Sequence, residues 1–167
     1  MIICGFAGTG KSTAAKKITG VIDLESTPFQ KDWDTYARVA MHMDQQGYIV
    51  LLSCHRELRE KLHELGAKYY VVYPEKNQKD IYRERYEERG NTPEFIAMQM
   101  SHWDEWIGVT LRWEGYDPDL GAETVEEEHA IYLVTSPSGH VETMSDLLDD
   151  IIQYGEEVID LFPPESD

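Results

Sequence analysis

The sequence is short of several things. After Arg112 there is no lysine or arginine. Residues 1–112 hold all 15 Lys and Arg and 16 of the 32 Asp and Glu, a net of −1; residues 113–167 hold the other 16 acids, a net of −16. A field of that sign repels nucleic acid unless local basic residues overcome it. Cysteine is scarce too: Cys4 and Cys54 are the only two, too few for a disulfide framework, and two buried thiols are expected rather than a redox pair. No apolar run is long enough to span a bilayer, and the apolar start has no basic stretch before it, so a cytoplasmic protein without a signal peptide is expected. The six histidines show no metal-ligand spacing. There are no internal repeats and no linker. The 167 residues, 41% of them hydrophobic, therefore read as one globular domain.

What is present begins at the first residue. Met1-Ile2-Ile3-Cys4 is a short apolar run suited to a buried strand. It leads into Gly5-Phe6-Ala7-Gly8-Thr9-Gly10-Lys11-Ser12, which fits the G-x-x-x-x-G-K-[ST] phosphate-binding loop. Glycines permit the tight backbone, so that several N–H groups can face one cluster of phosphate oxygens. Lys11 offers a point charge for the outer phosphates, and the Ser12 hydroxyl is a candidate Mg²⁺ ligand. Thr13 to Ile18 continue as a helix, with its start at the same spot. Gly8, Thr9, Gly10, Lys11, Ser12 and Thr13 are the candidate ATP-binding residues.

Further along, hydrophobic periodicity predicts alternating strands and helices. Residues 20–28 read as a short strand ending in a polar turn. Trp33, Tyr36, Ala37, Ala40 and Met41 mark the buried face of a helix. Residues 48–54 form the clearest buried strand. Leu58, Leu62 and Leu65 mark a third helix, residues 68–73 a fourth strand that is β-branched and aromatic, and residues 77–88 a charged helix. Thr92-Pro93-Glu94 is a helix start, with the helix expected to reach about Ile107. Residues 108–129 read as an irregular acidic insert, 130–135 as a strand, and 145–161 as an acidic amphipathic helix through Leu147, Leu148, Ile151, Ile152, Val158 and Ile159, with Gly155 a candidate interruption. Such alternation means an α/β fold with a mostly parallel sheet, in which ligands bind beyond the carboxyl ends of the strands. That rule selects Gly5–Ser12, Asp23–Ser26, Ser53–Arg56 and Tyr73–Glu75.

Two features go beyond the loop. Motors, helicases and GTPases of the wider class usually carry an acid after an apolar strand; Ile49–Leu52 is followed instead by Ser53-Cys54-His55. Asp23 and Glu25 follow the second strand, where either can meet an acceptor hydroxyl or a Mg²⁺-bound water, or merely cap a turn. Arg83, Arg85 and Arg89 lie on a helix before Gly90 and are candidates for a lid over transferring phosphate; the alternative is a solvated helix with Glu–Arg pairs. Trp103, Trp106 and Trp113 are expected to pack the core or the insert rather than stack on bases.

These segments, with Ser53-Cys54-His55-Arg56-Glu57-Leu58-Arg59, Val72-Tyr73-Pro74, Arg85-Tyr86-Glu87-Glu88-Arg89-Gly90 and Trp103-Asp104-Glu105-Trp106, resemble small bacterial and phage P-loop kinases. They are similar to nucleoside-monophosphate (adenylate) kinases, more loosely to gluconate kinases, and to phage kinases of 5-hydroxymethyluracil in DNA. The likeness covers about residues 1–107. It implies a three-layer P-loop kinase fold: a five-stranded parallel sheet, order 2-3-1-4-5, with helices on both faces. It also implies Mg²⁺ and ATP as cofactors, Lys11, Asp23 and the three arginines as catalytic residues, and Asp23, Glu25, His55, Arg56 and Arg59 around the acceptor. The expected acceptor is a small nucleoside or nucleotide. A modified base in DNA is the rival acceptor, disfavoured by the charge. A non-catalytic nucleotide-binding or acidic interaction protein is the rival of another class.

Overall fold

The computed structural model describes residues 1–74, 76–113, 131–135 and 143–154. Five parallel strands form one sheet: β1 (Ile2–Gly5), β2 (Val21–Asp23), β3 (Ile49–Leu52), β4 (Tyr70–Pro74) and β5 (Ile131–Thr135). Their order is β2-β3-β1-β4-β5. In register, Ile3 lies beside Leu51 on one side and Tyr70 on the other. The protein is thus α/β with a parallel sheet.

Successive strand residues point to opposite faces, and the central strands are apolar at every position, so both faces are covered. On one face Ile2, Cys4, Val50, Leu52, Val71 and Tyr73 pack with Tyr36, Ala37, Leu58, Leu62 and Trp103. These come from α2 (Trp33–Gln45), α3 (Arg56–Glu64) and α6 (Trp103–Trp113). On the other face Ile3, Leu51, Tyr70 and Val72 pack with Ala14 of α1 (Lys11–Lys17) and with Met144, Leu147, Leu148 and Ile151 of α7 (Met144–Tyr154). Among the described residues, no helix is long and apolar enough to cross a membrane.

Local signals set the helix starts. Asp32 caps α2 by accepting from Thr35 N at 3.1 Å. Thr92 caps α5 (Pro93–Ser101) by accepting from Phe95 N at 3.2 Å, with Pro93 at the first helical position. The charged segment begins as a 3₁₀ turn, Lys76–Gln78, before α4 (Lys79–Glu88).

Two expectations need correction. The helix starting at Pro93 does not run unbroken to Ile107; it stops at His102, and α6 turns off from Trp103. The break lets Trp103 enter the core, fully buried, with its Nε1 donating to Lys76 O at 2.8 Å. The segment expected to be irregular from residue 108 is helical as far as Trp113, because the apolar stripe that begins at Trp103 continues past Gly108. Residues 114–130, most of the acidic insert, and 155–161 of the last acidic helix lie outside the described residues.

Candidate functional site

In a parallel sheet the carboxyl ends of neighbouring strands open on the same edge. Here β1 ends at Gly5, β2 at Asp23 and β3 at Leu52, so three chain-distant segments converge. The loop from Phe6 to Gly10 is the centre. Gly8 (φ +89°) and Gly10 (φ +96°) both adopt the left-handed region that side chains disfavour. Thr9 is fully buried and ties the loop by donating from Oγ1 to Phe6 O at 2.8 Å. As at any helix start, the N–H groups of Lys11, Ser12 and Thr13 have no acceptor within α1.

Lys11 folds under this loop. Its Nζ donates to Gly5 O at 2.6 Å and approaches Leu52 O at 3.4 Å. Burial holds its pKa below the ordinary lysine value, a shift that Cys54 and Asp23 partly oppose. Ser12 Oγ donates to Asp23 Oδ2 at 2.7 Å, so a hydroxyl and a carboxylate stand together at the end of β2. Tyr36 braces this edge from below: its hydroxyl donates to Leu24 O and accepts from Ser53 N at 3.1 Å, and burial pushes its pKa to about 12.

Helix α4 supports the loop from the other side. Tyr82 and Tyr86 are fully buried, and Tyr86 Oη donates to Ala7 O at 2.7 Å. Arg85 Nη1 donates to Gly8 O at 3.1 Å, with its guanidinium 4.7 Å from the Tyr82 ring centre. Arg89 lies 5.8 Å from the Tyr86 ring centre. A Cβ on Gly8 would stand 2.9 Å from Tyr86 Cε1. Gly8→Ala is therefore expected to destabilise the protein by about 1–3 kcal/mol, from the left-handed backbone and the ring contact together. A lowering of the thermal midpoint by at least about 2 °C would register it; an unchanged midpoint would mean the loop relaxes freely.

A cleft of about 630 Å³ opens over the loop, lined by Gly8 to Thr13, Lys17, Asp23, Glu25, Arg85 and Arg89, among others. A second, of about 670 Å³, adjoins it and contains His55, Arg56 and Arg59 beside Phe6, Tyr73, Phe95, Met98, Gln99 and Trp106. Ala7, Lys11 and Ser53 line both. The acceptor residues grouped together from the sequence are thus divided: Asp23 and Glu25 face the loop cleft, and His55, Arg56 and Arg59 the second.

Arg83 stands apart from both, paired with Asp80 at 3.2 Å. The reason is helical: residues four apart share a face, as Arg85 and Arg89 do, whereas residues two apart do not. Arg59 is buried, with Nε donating to Cys54 O at 3.3 Å, while Arg56 is exposed and paired with Glu60 at 2.7 Å. His55 contacts Ser53 Oγ at 2.9 Å and lies 4.9 Å from the Trp33 ring; burial lowers its pKa. Among the described residues no cluster of three His, Cys, Asp or Glu side chains is set to hold a metal.

Sequence reasoning missed several lining residues. Thr143 and Ser145 reach the loop cleft because Met144 N donates to Thr9 O at 2.8 Å, which docks α7 on the loop. Thr143 and Asp146 cap each other, and Thr-x-x-Asp before Leu147 and Leu148 was the available signal. Trp106 lines the second cleft rather than packing wholly in the core, since it falls at the edge of the α6 face that buries Trp103 and Ile107.

No family model matches the chain, and no curated protein matches it. Among solved structures that match is an uncharacterized protein from Eubacterium ventriosum ATCC 27560. It is 14% identical, with a TM-score of 0.43 over 93% of this chain and 97% of that one, a likeness that carries no functional argument.

Proposed function

We propose that this protein is a cytoplasmic ATP-dependent kinase of the P-loop class that transfers the γ-phosphate to a small nucleoside or nucleotide. The observation that carries the reading is the meeting of two clefts at Ala7, Lys11 and Ser53. A triphosphate on the loop and an acceptor in the second cleft would come together where the half-buried Lys11 stands, and such placement is most of what phosphoryl transfer requires. The strand order and the helices on both faces support assignment to the three-layer P-loop kinase fold.

The residues present fit Mg·ATP. Mg²⁺ keeps several waters and needs few protein ligands; Ser12 would supply a hydroxyl, and Asp23, hydrogen-bonded to it, would accept from a metal-bound water. Bound there, the ion would neutralise charge on the phosphate oxygens. Gly8 to Thr13 would hold the phosphates with backbone N–H groups. Lys11 would exchange the carbonyls of Gly5 and Leu52 for a phosphate oxygen. Arg85 and Arg89 would stabilise charge on the transferring group. Asp23 faces the loop cleft, so it would orient an acceptor hydroxyl or take its proton where that group reaches past the junction of the two clefts.

Transfer of labelled γ-phosphate to a panel of nucleosides, monophosphates and hydroxymethylated DNA tests the reading. Label only in DNA overturns the choice of acceptor, and label nowhere favours the interaction-protein alternative. Asp23→Asn is expected to lower turnover about 10²-fold or more. A raised Mg²⁺ requirement in that variant marks service to the metal, and an altered pH–rate profile marks service to the acceptor. Glu25→Gln should cost less; a larger loss there identifies Glu25 as the working acid.

A further inference from the structure

The ladder between β2 and β3 ends in an irregular step. Val21, Ile22 and Asp23 pair with Ile49, Val50 and Leu51 in parallel register. Alternate residues carry the bonds: Ile49 N donates to Gly20 O at 3.0 Å, and Leu24 N donates to Leu51 O at 2.9 Å. The next bond of this series would run from Ser53 N to Leu24 O. Instead the hydroxyl of Tyr36 stands between them: it accepts from Ser53 N at 3.1 Å and donates to Leu24 O. The ring behind it is fully buried, stacked on Phe29 at 4.7 Å and 6.3 Å from Trp33. Backbone satisfaction does not explain this insertion. A direct bond would pair the same N–H and C=O at about 2.9 Å and need no side chain. What the hydroxyl adds is width: two bonds in series where the ladder has one, at the point where the strands leave the sheet. Sequence pattern reads Tyr36 only as one residue on the buried face of α2.

We infer that Tyr36 is a positioning residue whose hydroxyl wedges the carboxyl ends of β2 and β3 apart and so sets the gap in which donor and acceptor meet. The inference rests on the proposed kinase reading for the identity of those two ligands. Both backbone partners of the wedge belong to the site. Leu24, between Asp23 and Glu25, lines the loop cleft, and Ser53 lines both clefts. Lys11 reaches the same edge, toward Leu52 O. Closing the wedge would draw Leu24, and Asp23 beside it, toward Ser53 and narrow the junction. Phosphoryl transfer depends on alignment, and a displacement of about 1 Å can cost about 10²-fold in rate. The wedge is held firmly. Packed rings fix its place, and burial pushes its pKa to about 12, so the donor to Leu24 O persists across the working pH range. Tyr36→Phe keeps the ring and removes only the wedge. Ser53 N and Leu24 O would then bond directly at ladder spacing, because buried backbone groups left unpaired are costly.

Two kinds of ligand, titrated by calorimetry into the full chain with Mg²⁺, test the wedge. The β,γ-imido analogue of ATP occupies the loop cleft alone. Two nucleosides joined through five phosphates, adenosine with adenosine or with thymidine, are long enough to reach from one cleft into the other. Tyr36→Phe is expected to bind the imido analogue within about twofold of wild type, and the tighter bridging probe at least about tenfold more weakly. With both substrates saturating, its turnover should fall about 10²-fold while the KM for ATP stays near wild type. A merely structural loss would not separate these readouts. Leu62→Ala, in the core on α3, is the control: it should lower the thermal midpoint at least as far and leave the ratio of the two affinities unchanged. Equal weakening of both ligands in Tyr36→Phe, or of neither, overturns the inference. So does a ratio that falls as far in Leu62→Ala, or a wild-type chain that binds no bridging probe more tightly than the imido analogue. Labelled transfer keeps the two readings separate. Wild-type transfer with the ratio and turnover unchanged in Tyr36→Phe removes the wedge alone. A lost bridging advantage in Tyr36→Phe, with no transfer by wild type to any acceptor, removes the kinase reading and leaves the wedge as the spacer between two ligand clefts.

Discussion

Arg85→Ala and Arg89→Ala are each expected to lose on the order of 10³-fold in the rate of transfer, while Arg83→Ala stays near wild type. The contrast follows from the helix. Arg85 and Arg89 line the loop cleft, and Arg83 turns to solvent and Asp80. Arginines at a transferring phosphoryl group act by stabilising charge on its outer oxygens, an effect strongest where water is excluded. Both side chains rest on tyrosine faces that are fully buried, which limits their freedom before any ligand arrives. Arg85 has a second attachment, its bond to Gly8 O. Its loss should therefore lower the thermal midpoint slightly as well, whereas that of Arg89 should not. Single-turnover rates with saturating acceptor and urea denaturation of each variant separate the two effects. Near-normal rates in both variants would reduce α4 to a prop for the loop.

Lys11→Ala is expected to cost about 10³-fold or more in transfer. The lysine is not idle without ligand: its Nζ is shared between Gly5 O and Leu52 O, at the ends of two strands. Gly5 lines the second cleft, where water can replace the lost donor, and the contact with Leu52 O is long at 3.4 Å, so the fold should be kept. Burial lowers the pKa of Lys11, which makes a ligand phosphate a better partner than the neutral carbonyls. Lys11→Arg should be nearly as damaging. A Cβ at Gly5 would lie only 2.9 Å from Lys11 Cδ, so the stem runs closely over the strand end and a planar guanidinium has no equivalent seat. Labelled transfer and circular dichroism melts of Lys11→Ala and Lys11→Arg check this. Ordinary turnover in either would show that the loop does not handle the transferred phosphate.

The loop, the α/β alternation and the buried strands could be read directly because their signals are local. Gly8 and Gly10 announce a backbone only glycine adopts readily, and Ile49–Leu52 announces a strand buried on both faces. Asp32 and Thr92 announce helix starts. Charge was legible in the same way, since a count needs no coordinates. Periodicity was less reliable where one apolar stripe passes from one helix to the next: it carried a single helix across His102, because a bend leaves the spacing of apolar residues almost unchanged.

The tertiary structure decided what meets what. Distance along the chain says nothing about which strand ends adjoin, so the contact of Ser12 with Asp23 and the reach of Lys11 to Leu52 depend on the order of strands in the sheet. Three arginines of equal standing in the sequence became a pair and an outlier once α4 was turned to bury Tyr82 and Tyr86. The acceptor residues split between two clefts: Asp23 and Glu25 at the end of β2 line one, and His55, Arg56 and Arg59 after β3 line the other. That the buried Oε1 of Gln99 finds no hydrogen-bond partner among the described residues is a property of packing alone. Amino-acid type sets what a side chain can offer, and only the folded arrangement sets whether a partner is there to take it.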